Sequence, residues 1–270
     1  MMRSLWTAAS GMMSQQTNVD TISNNLANIN TTGYKKQSAE FKSLLYQTIQ
    51  GQSTDNNGEA KPYGIQVGLG VRNSAITSQF TQGVLTETGN DFDLAIEGNG
   101  FFSVMTEDGK VGYTRNGSFS LAVGANGITL ANSDGSPVLN TDGEPIVIDS
   151  QYSASDITIN EQGEICFPDS TGAAVPSGQK IALTQFSNPA GLEKGSNSLL
   201  FASPASGDAV LESDSTELTH SKIRQGYLES SNVQAVDEMV NLIVAQRAYE
   251  MNSKIITASD QMLQQANNLR

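Results

Sequence analysis

The 270-residue chain has one cysteine, Cys166, and one histidine, His220. An internal disulfide is thereby excluded, and so is any zinc site built from several cysteines or histidines. Basic charge is scarce too: 15 Lys and Arg stand against 28 Asp and Glu, for a formal net charge of -13. The deficit is local, because residues 91–170 hold 13 carboxylates against only Lys110 and Arg115. Such a surface repels nucleic acid and anionic lipid, and neither is expected as a partner. Long hydrophobic runs are missing as well. No stretch approaches the roughly 18 apolar residues of a membrane span. Ser, Thr, Gly and Gln interrupt the opening "MMRSLWTAASGMMSQQ" before it reaches signal-peptide length. The expectation is a chain that inserts in no membrane and carries no cleaved signal peptide. Phosphate-loop patterns are incomplete: "GLG" at 68–70 and "GNG" at 98–100 do not extend to G-x-G-x-x-G, so they read as turn glycines and no cofactor is expected.

What is present falls into three zones. With 37% apolar residues and 25 Gly, the chain can bury a core in one or two domains. Residues 1 to about 30 have helical period. Leu5, Met12, Val19 and Leu26 recur every seven residues, and Ala8, Ile22 and Ile29 fill the offset row, with Gln15 its one polar member. The flanks of this helix carry Asn18, Asn24, Asn25, Asn28 and Asn30 where Lys and Glu would be usual. Uncharged side chains cost less to enclose than ions, which fits burial between copies of the chain; helix-end and turn formation is the plainer reading of the same asparagines. "NTTGYKK" stops the helix, with Gly33 available as a left-handed cap. A second, shorter helical run is expected over 38–50, then a polar loop or extended hairpin over 51–64.

The middle zone reads as strands. Phe92, Leu94 and Ile96 alternate, and turn signals follow at "EDG", "RNG", "ANG", "SDG" and "TDG". The expected domain plan is a helical segment over 1–45, a linker or extension over 46–72, a barrel- or sandwich-like β module over 73–215 and a helical segment over 216–270. In that last segment apolar residues recur at eleven: Val240, Met251 and Met262 form one row, Val244, Ile255 and Ala266 another. Glu250 is placed to pair with Lys254, and Arg247 reads as a solvated partner of the same carboxylate. The fold class is therefore α+β, with long terminal helices around an all-β centre. A lone helix of this kind is marginal in water, so both ends are expected to become rigid only among sister molecules.

Three ordered motifs carry a resemblance that covers effectively the whole chain: "NNLANINTTGYKKQ", "EGNGFFSV" with "GYTRNGSFS", and "GYLESSNVQAVDEMVNLIVAQRAYEMNSKIITASDQMLQQ". Together they resemble the bacterial flagellar axial proteins, the rod, hook and hook–filament junction subunits. Within that family the chain is most similar to distal-rod subunits, through "FKSLLYQTIQGQS" followed by "PYGIQVGLGVR". The resemblance implies a structural subunit of the flagellar basal body in the cell envelope, with terminal helices pairing as a coiled coil that lines an axial channel and a β module facing outward. It implies export through the flagellar apparatus and helical polymerisation into a rigid, hollow, torque-transmitting shaft. Proximal rod and hook subunits are the implied neighbours, and rod-encircling ring proteins join them where the cell has an outer membrane. Residues 46–68 would brace neighbouring subunits. The assembly seams would be Leu5, Met12, Val19, Ile22, Leu26, Ile29, Val240, Val244, Met251, Ile255 and Met262, and the family motif Asn24, Asn25, Leu26, Ala27, Asn28, Gly33 and Tyr34.

Two other readings stand beside this one. A proximal-rod or hook subunit keeps the class and changes the part. A cell-wall hydrolase would use the acidic cluster Asp91, Asp93 and Glu97, but these share one face of an alternating strand with no second carboxyl across a cleft. Catalytic, cofactor and metal residues are therefore not assigned. Cys166, between Ile165 and Phe167, reads as an inert strand residue, and His220 has no ligand partner in sequence.

Overall fold

The computed structural model describes residues 2–50, 64–124, 127–148, 157–168, 174–214 and 218–268. The chain divides into two compact units, one formed by residues 1–27, 37–78 and 234–270, the other by residues 28–36 and 79–233.

The first unit holds both long helices, α1 (Met2–Ala27) and α2 (Ala235–Asn268). Asp237 and Glu238 in the first turn of α2 complement its amide-rich end. Helix α1 stops a turn sooner than its periodicity promises, so Ile29 lies beyond it. There the Thr31 amide donates to the Asn28 carbonyl (3.2 Å) and the Thr31 hydroxyl to Asn28 Oδ1 (3.1 Å). Local side-chain bonds of this sort offer the backbone an alternative to another helical turn.

The helix expected over 38–50 does not form. In its place are β1 (Gln37–Ser43) and β2 (Tyr46–Gln50). Strand β2 pairs antiparallel with β3 (Ile65–Gly68), and β1 with β4 (Val71–Ser78), with a bulge between Glu40 and Phe41. Phe41, Leu44, Leu45 and Ile49 have helical spacing, but a short run of this type is ambiguous. Long-range partners decide it: β4 supplies the ladder, and α1 offers Ser10 Oγ to the Val71 amide (3.3 Å) and Thr17 Oγ1 to Asn73 Nδ2 (2.6 Å). The loop or hairpin expected over 51–64 lies, save for its last residue, outside the described residues, although its arms β2 and β3 pair.

The second unit is β-rich. Its largest sheet is antiparallel with strand order 193–194, 200–201, 111–114, 101–105, 183–185, 210–211. Two three-stranded sheets (147–148, 127–132, 119–124; and 158–159, 164–168, 174–180) and two strand pairs (222–225 with 94–97; 227–229 with 85–87) complete it. None of these sheets closes, so the barrel form of the expectation is not met. The helix-bracketed β centre is. Phe92, Leu94 and Ile96 enter the main core with Phe102, Val104, Leu130 and Ile223, as their alternation predicts. Phe101 points the other way, into a smaller aromatic core, edge-on to Phe80 (5.5 Å) and Phe186 (5.8 Å). The "NSDGS" and "NTDGE" turns are closed alike: Asn132 Oδ1 accepts the amides of Asp134 (3.0 Å) and Ser136 (2.9 Å), and Asn140 Oδ1 those of Asp142 (2.8 Å) and Glu144 (2.9 Å).

Candidate functional site

In the first unit, α1 and α2 run antiparallel along a seam that steps by seven residues on both. Ser4 Oγ meets Ser259 Oγ at 3.4 Å, a Cβ added at Gly11 would stand 2.9 Å from Asn252 Nδ2, and Asn25 Nδ2 donates to Glu238 Oε2 at 3.1 Å. The same step passes through Ala245, one of three buried residues of α2 with Glu238 and Ser259. The missing Cβ at Gly11 lets the helices approach closely there. Asn25 also closes a backbone pair with β1, donating to the Gln37 carbonyl (2.8 Å) and accepting its amide (2.9 Å). This buried asparagine is therefore engaged within its own chain, and not in the packing between copies that its uncharged side chain would also suit.

Apolar residues lie to the side of this polar seam. On α1, Ala8 and Ile22 are buried, while Leu5, Met12, Val19 and Leu26 are half-buried. Ile29 is half-buried in the turn that follows. On α2, Val240, Val244, Met251, Ile255 and Met262 are all exposed, from 46% for Ile255 to 63% for Val244. Val236, Met239 and Ile243 join them. One helix thus presents a contiguous apolar stripe to the outside, and a patch of that kind on a soluble chain marks an interaction surface. The β2–β3 ribbon behaves alike: Leu45, Tyr46, Ile49 and Ile65 are exposed, and a two-stranded ribbon has little stability of its own. Arg247 pairs with Glu250 at 3.2 Å in solvent, as expected of a surface pair.

In the second unit, the three motifs that carry the resemblance converge. Glu229, 1% exposed at its side chain, receives Lys35 Nζ at 2.5 Å and the Gly83 amide at 2.8 Å on Oε1, and Arg115 Nη1 at 3.2 Å on Oε2. Lys35 also donates to the Thr81 carbonyl (2.8 Å) and Arg115 Nη2 to the Gly98 carbonyl (2.6 Å). The Arg115 guanidinium lies over the Phe101 ring, 5.2 Å from its centroid, which carries part of its charge. Burial holds both the Lys35 ammonium and the Arg115 guanidinium below their ordinary pKa values, against the opposing pull of Glu229. Glu229 is the carboxylate that bonds both cations, and buried Glu212 adds a weaker pull on Arg115, so Glu229 is the residue on which the cluster depends.

Gly33 belongs here and not at the end of α1. Its φ of +69° is left-handed, as expected, yet its amide donates to the Glu229 carbonyl at 2.8 Å, and a Cβ would fall 2.6 Å from the Arg115 carbonyl carbon. Beside it Thr32 Oγ1 donates to Asn116 Oδ1 (2.7 Å). Asn232 completes the junction, accepting the Lys36 amide (2.7 Å) and donating to the Gln79 carbonyl (2.9 Å) and Thr81 Oγ1 (2.8 Å). Lys35, Arg115, Glu229 and Asn232 lie within the motifs, but no local spacing marks them: only Glu229 sits in a strand, Lys35 and Arg115 stand just outside regular elements, and Asn232 is uncharged.

Two of the three carboxylates of the hydrolase reading, Asp93 and Glu97, are held by structural partners. Strand 94–97 begins after Asp91 and Asp93, so the three do not share one strand face. Asp93 is buried and accepts from Thr88 Oγ1 (2.6 Å) and Asn90 Nδ2 (3.5 Å), while Glu97 pairs with Arg224 (2.9 Å). Burial, with Glu164 nearby, pushes the Cys166 thiol up, which fits an unreactive strand residue. Among the described residues no cluster of His, Cys, Asp or Glu could hold a metal ion, and no helix is long and apolar enough to cross a membrane.

Comparison with known proteins bears on the same segments. Residues 5–35 match the family described as flagella basal body rod protein, residues 95–167 the flagellar hook protein FlgE/F/G D1 domain, and residues 224–269 the flagellar basal body rod FlgEFG protein C-terminal family. Over its whole length the chain is 44% identical to the flagellar basal-body rod protein FlgG of Borreliella burgdorferi, covering 99% of that protein. Identity to the FlgG of Agrobacterium fabrum is 43%, across 97% of both chains. The flagellar hook-basal body complex protein FlhP of Bacillus subtilis is similar at 34% over the full length of each.

Proposed function

The chain belongs to the FlgG family of flagellar basal-body rod proteins, and from that premise we propose that it builds the distal rod, polymerising helically through its terminal helices into a rigid, hollow shaft that passes motor torque to the hook. It is a structural rod subunit of the flagellar basal body. The reading assigns it no catalysis. Its neighbours are further copies of itself, proximal-rod and hook subunits, and rod-encircling ring proteins where an outer membrane is present. It travels through the flagellar export apparatus.

The observation that carries the proposal is the outward stripe of α2. A helix that spends Glu238, Ala245 and Ser259 on its own chain and leaves Val240, Val244, Met251, Ile255 and Met262 exposed is completed by other molecules. Coiled-coil pairing of the terminal helices then uses two kinds of face. The small and polar heptad row holds α1 to α2, and the apolar rows, with Leu5, Met12, Val19 and Leu26 of α1, meet neighbouring copies; Ile22, expected in the same seam, is already buried within its own chain. Replacing Val244 and Ile255 by Asp should abolish polymerisation and motility while the β-rich unit stays folded. Normal rods from that variant refute the proposal.

The likeness to a hook-basal body complex protein sustains the second reading, a proximal-rod or hook subunit. Deleting residues 46–68 separates the two. A distal-rod subunit so shortened should give bent or fragile rods, and unchanged straight rods would favour the alternative.

A further inference from the structure

We propose that the Glu229 cluster is a registering clamp for the two helices, holding the segment that leaves α1 against the segment that enters α2 so that the antiparallel seam can close within one chain. The inference concerns the free, single chain and goes beyond the rod reading, since it makes no use of polymerisation.

The argument starts from connectivity. Residues 28–36 follow α1 directly, residues 229–233 lead directly into α2, and the ends of the helix pair they must bring together, Asn25 and Glu238, are 213 positions apart. Within the β-rich unit, those two segments are bonded to each other at three places: the Gly33 amide to the Glu229 carbonyl, Lys35 Nζ to the Glu229 carboxylate, and the Lys36 amide to Asn232 Oδ1. Arg115 and Gly83 fix the carboxylate from the other side, so Glu229 cannot turn away. The seam itself is small and polar, with little apolar area to find its own register; a two-turn slip of seven residues would set Ser4, Gly11, Asn18 and Asn25 against Ala266, Ser259, Asn252 and Ala245, again small and polar. A device that fixes where the pair begins is what such a seam lacks.

Chain statistics give the size of the effect. With the clamp shut, the tether between Asn25 and Glu238 is about 17 residues. With residues 28–36 released but Gln37–Ser43 still laddered to Val71–Ser78 and strand 227–229 still paired with 85–87, it grows to about 30 residues. Encounter frequency falls roughly as the −3/2 power of tether length, so closure becomes about twofold less favoured.

The test is a thiol cross-link in the dilute full-length chain carrying Cys166→Ala, Ser4→Cys and Ser259→Cys, whose parent hydroxyls lie 3.4 Å apart. A short bifunctional thiol reagent reports how often the far end of the seam is closed. Asn232→Ala, Gly33→Ala and Glu229→Gln are then added singly, and hydrogen exchange at the Gly33 and Lys36 amides measures how far each opens the clamp. Near-UV circular dichroism of the aromatic cores reports the β-rich unit. The expected result is a cross-linking rate that falls in step with lost amide protection, to about half of the parent, with the aromatic signal kept in at least Asn232→Ala and Gly33→Ala. The proposal is overturned by a rate that stays at the parental value while those amides lose protection, or by a parent that forms no intramolecular cross-link.

Discussion

In the strand Phe101–Met105 the first four residues are buried, whereas α2, with 34 residues, buries only Glu238, Ala245 and Ser259 and leaves Val240, Val244 and Ile255 exposed. The β-rich unit directs apolar side chains inward, to both sides of a sheet, and gathers both of its buried cations on one carboxylate, Glu229. The helical pair does the reverse, using small and polar residues for contact within the chain and holding apolar ones outside. In the proposed rod, the difference separates a part that folding completes from one that assembly completes. Folding free energy for the first comes from its own core. The second leaves the apolar stripe of α2 exposed in the folded chain.

Substitutions can break or sharpen that contrast. The largest effect is expected from Glu229→Gln, which leaves Lys35 and Arg115 facing each other in a buried site without their anion; breaking a buried pair costs about 3–5 kcal/mol. Urea unfolding followed by the aromatic signal measures it, and a change below about 1 kcal/mol would show the cluster to be dispensable. Phe102→Ala belongs close behind, at about 3–5 kcal/mol through the cavity left in the main core. Its counterpart Val244→Ala on α2 should move the stability of the isolated chain by no more than about 0.5 kcal/mol and yet weaken polymerisation, read by sedimentation. A large effect on the isolated chain would erase the distinction between the two units.

Lys35→Met comes next, because it leaves one cation facing one carboxylate, and it has a pH signature. Burial lowers the folded pKa of Lys35, so between that value and the ordinary lysine value the unfolded chain binds more protons than the folded one. Stability from this group therefore rises with pH across that window, and the full cost of charging persists below it. The parent should gain stability relative to Lys35→Met as pH climbs toward the ordinary lysine value, in unfolding curves taken at stepped pH. A relative loss would reverse the assignment. The smallest change is expected from Gly11→Ala. Its new methyl meets only the amide end of Asn252, at 2.9 Å, and the helix-propensity gain of roughly 0.5–1 kcal/mol offsets the displacement.

Much of the fold could be read before any coordinates. Heptad spacing from Leu5 to Leu26 marks α1, the alternation Phe92, Leu94, Ile96 marks inward strand positions, and the Asp-Gly turns fall where the chain reverses. The run over 38–50 reads as helix because Phe41, Leu44, Leu45 and Ile49 satisfy helical spacing, while the ladder that makes it extended comes from residues 65–78, beyond any local window. The contact face of α2 escaped for a different reason. Apolar periodicity picks out Val240, Met251 and Met262, and the row Glu238, Ala245, Asn252, Ser259 has no hydrophobic contrast to reveal it.

The sequence by itself determined the order of parts: helix, strands, helix, an acidic centre, and flanks almost free of charge, all consequences of local period and composition. Tertiary structure alone decided which face of each helix turns inward and why Lys35, Arg115 and Glu229, far apart in the chain, share one site. Periodicity records that a face is apolar. Whether that face meets the same chain or another depends on shape and on backbone approach, as at Gly11, and these exist only once the chain is folded.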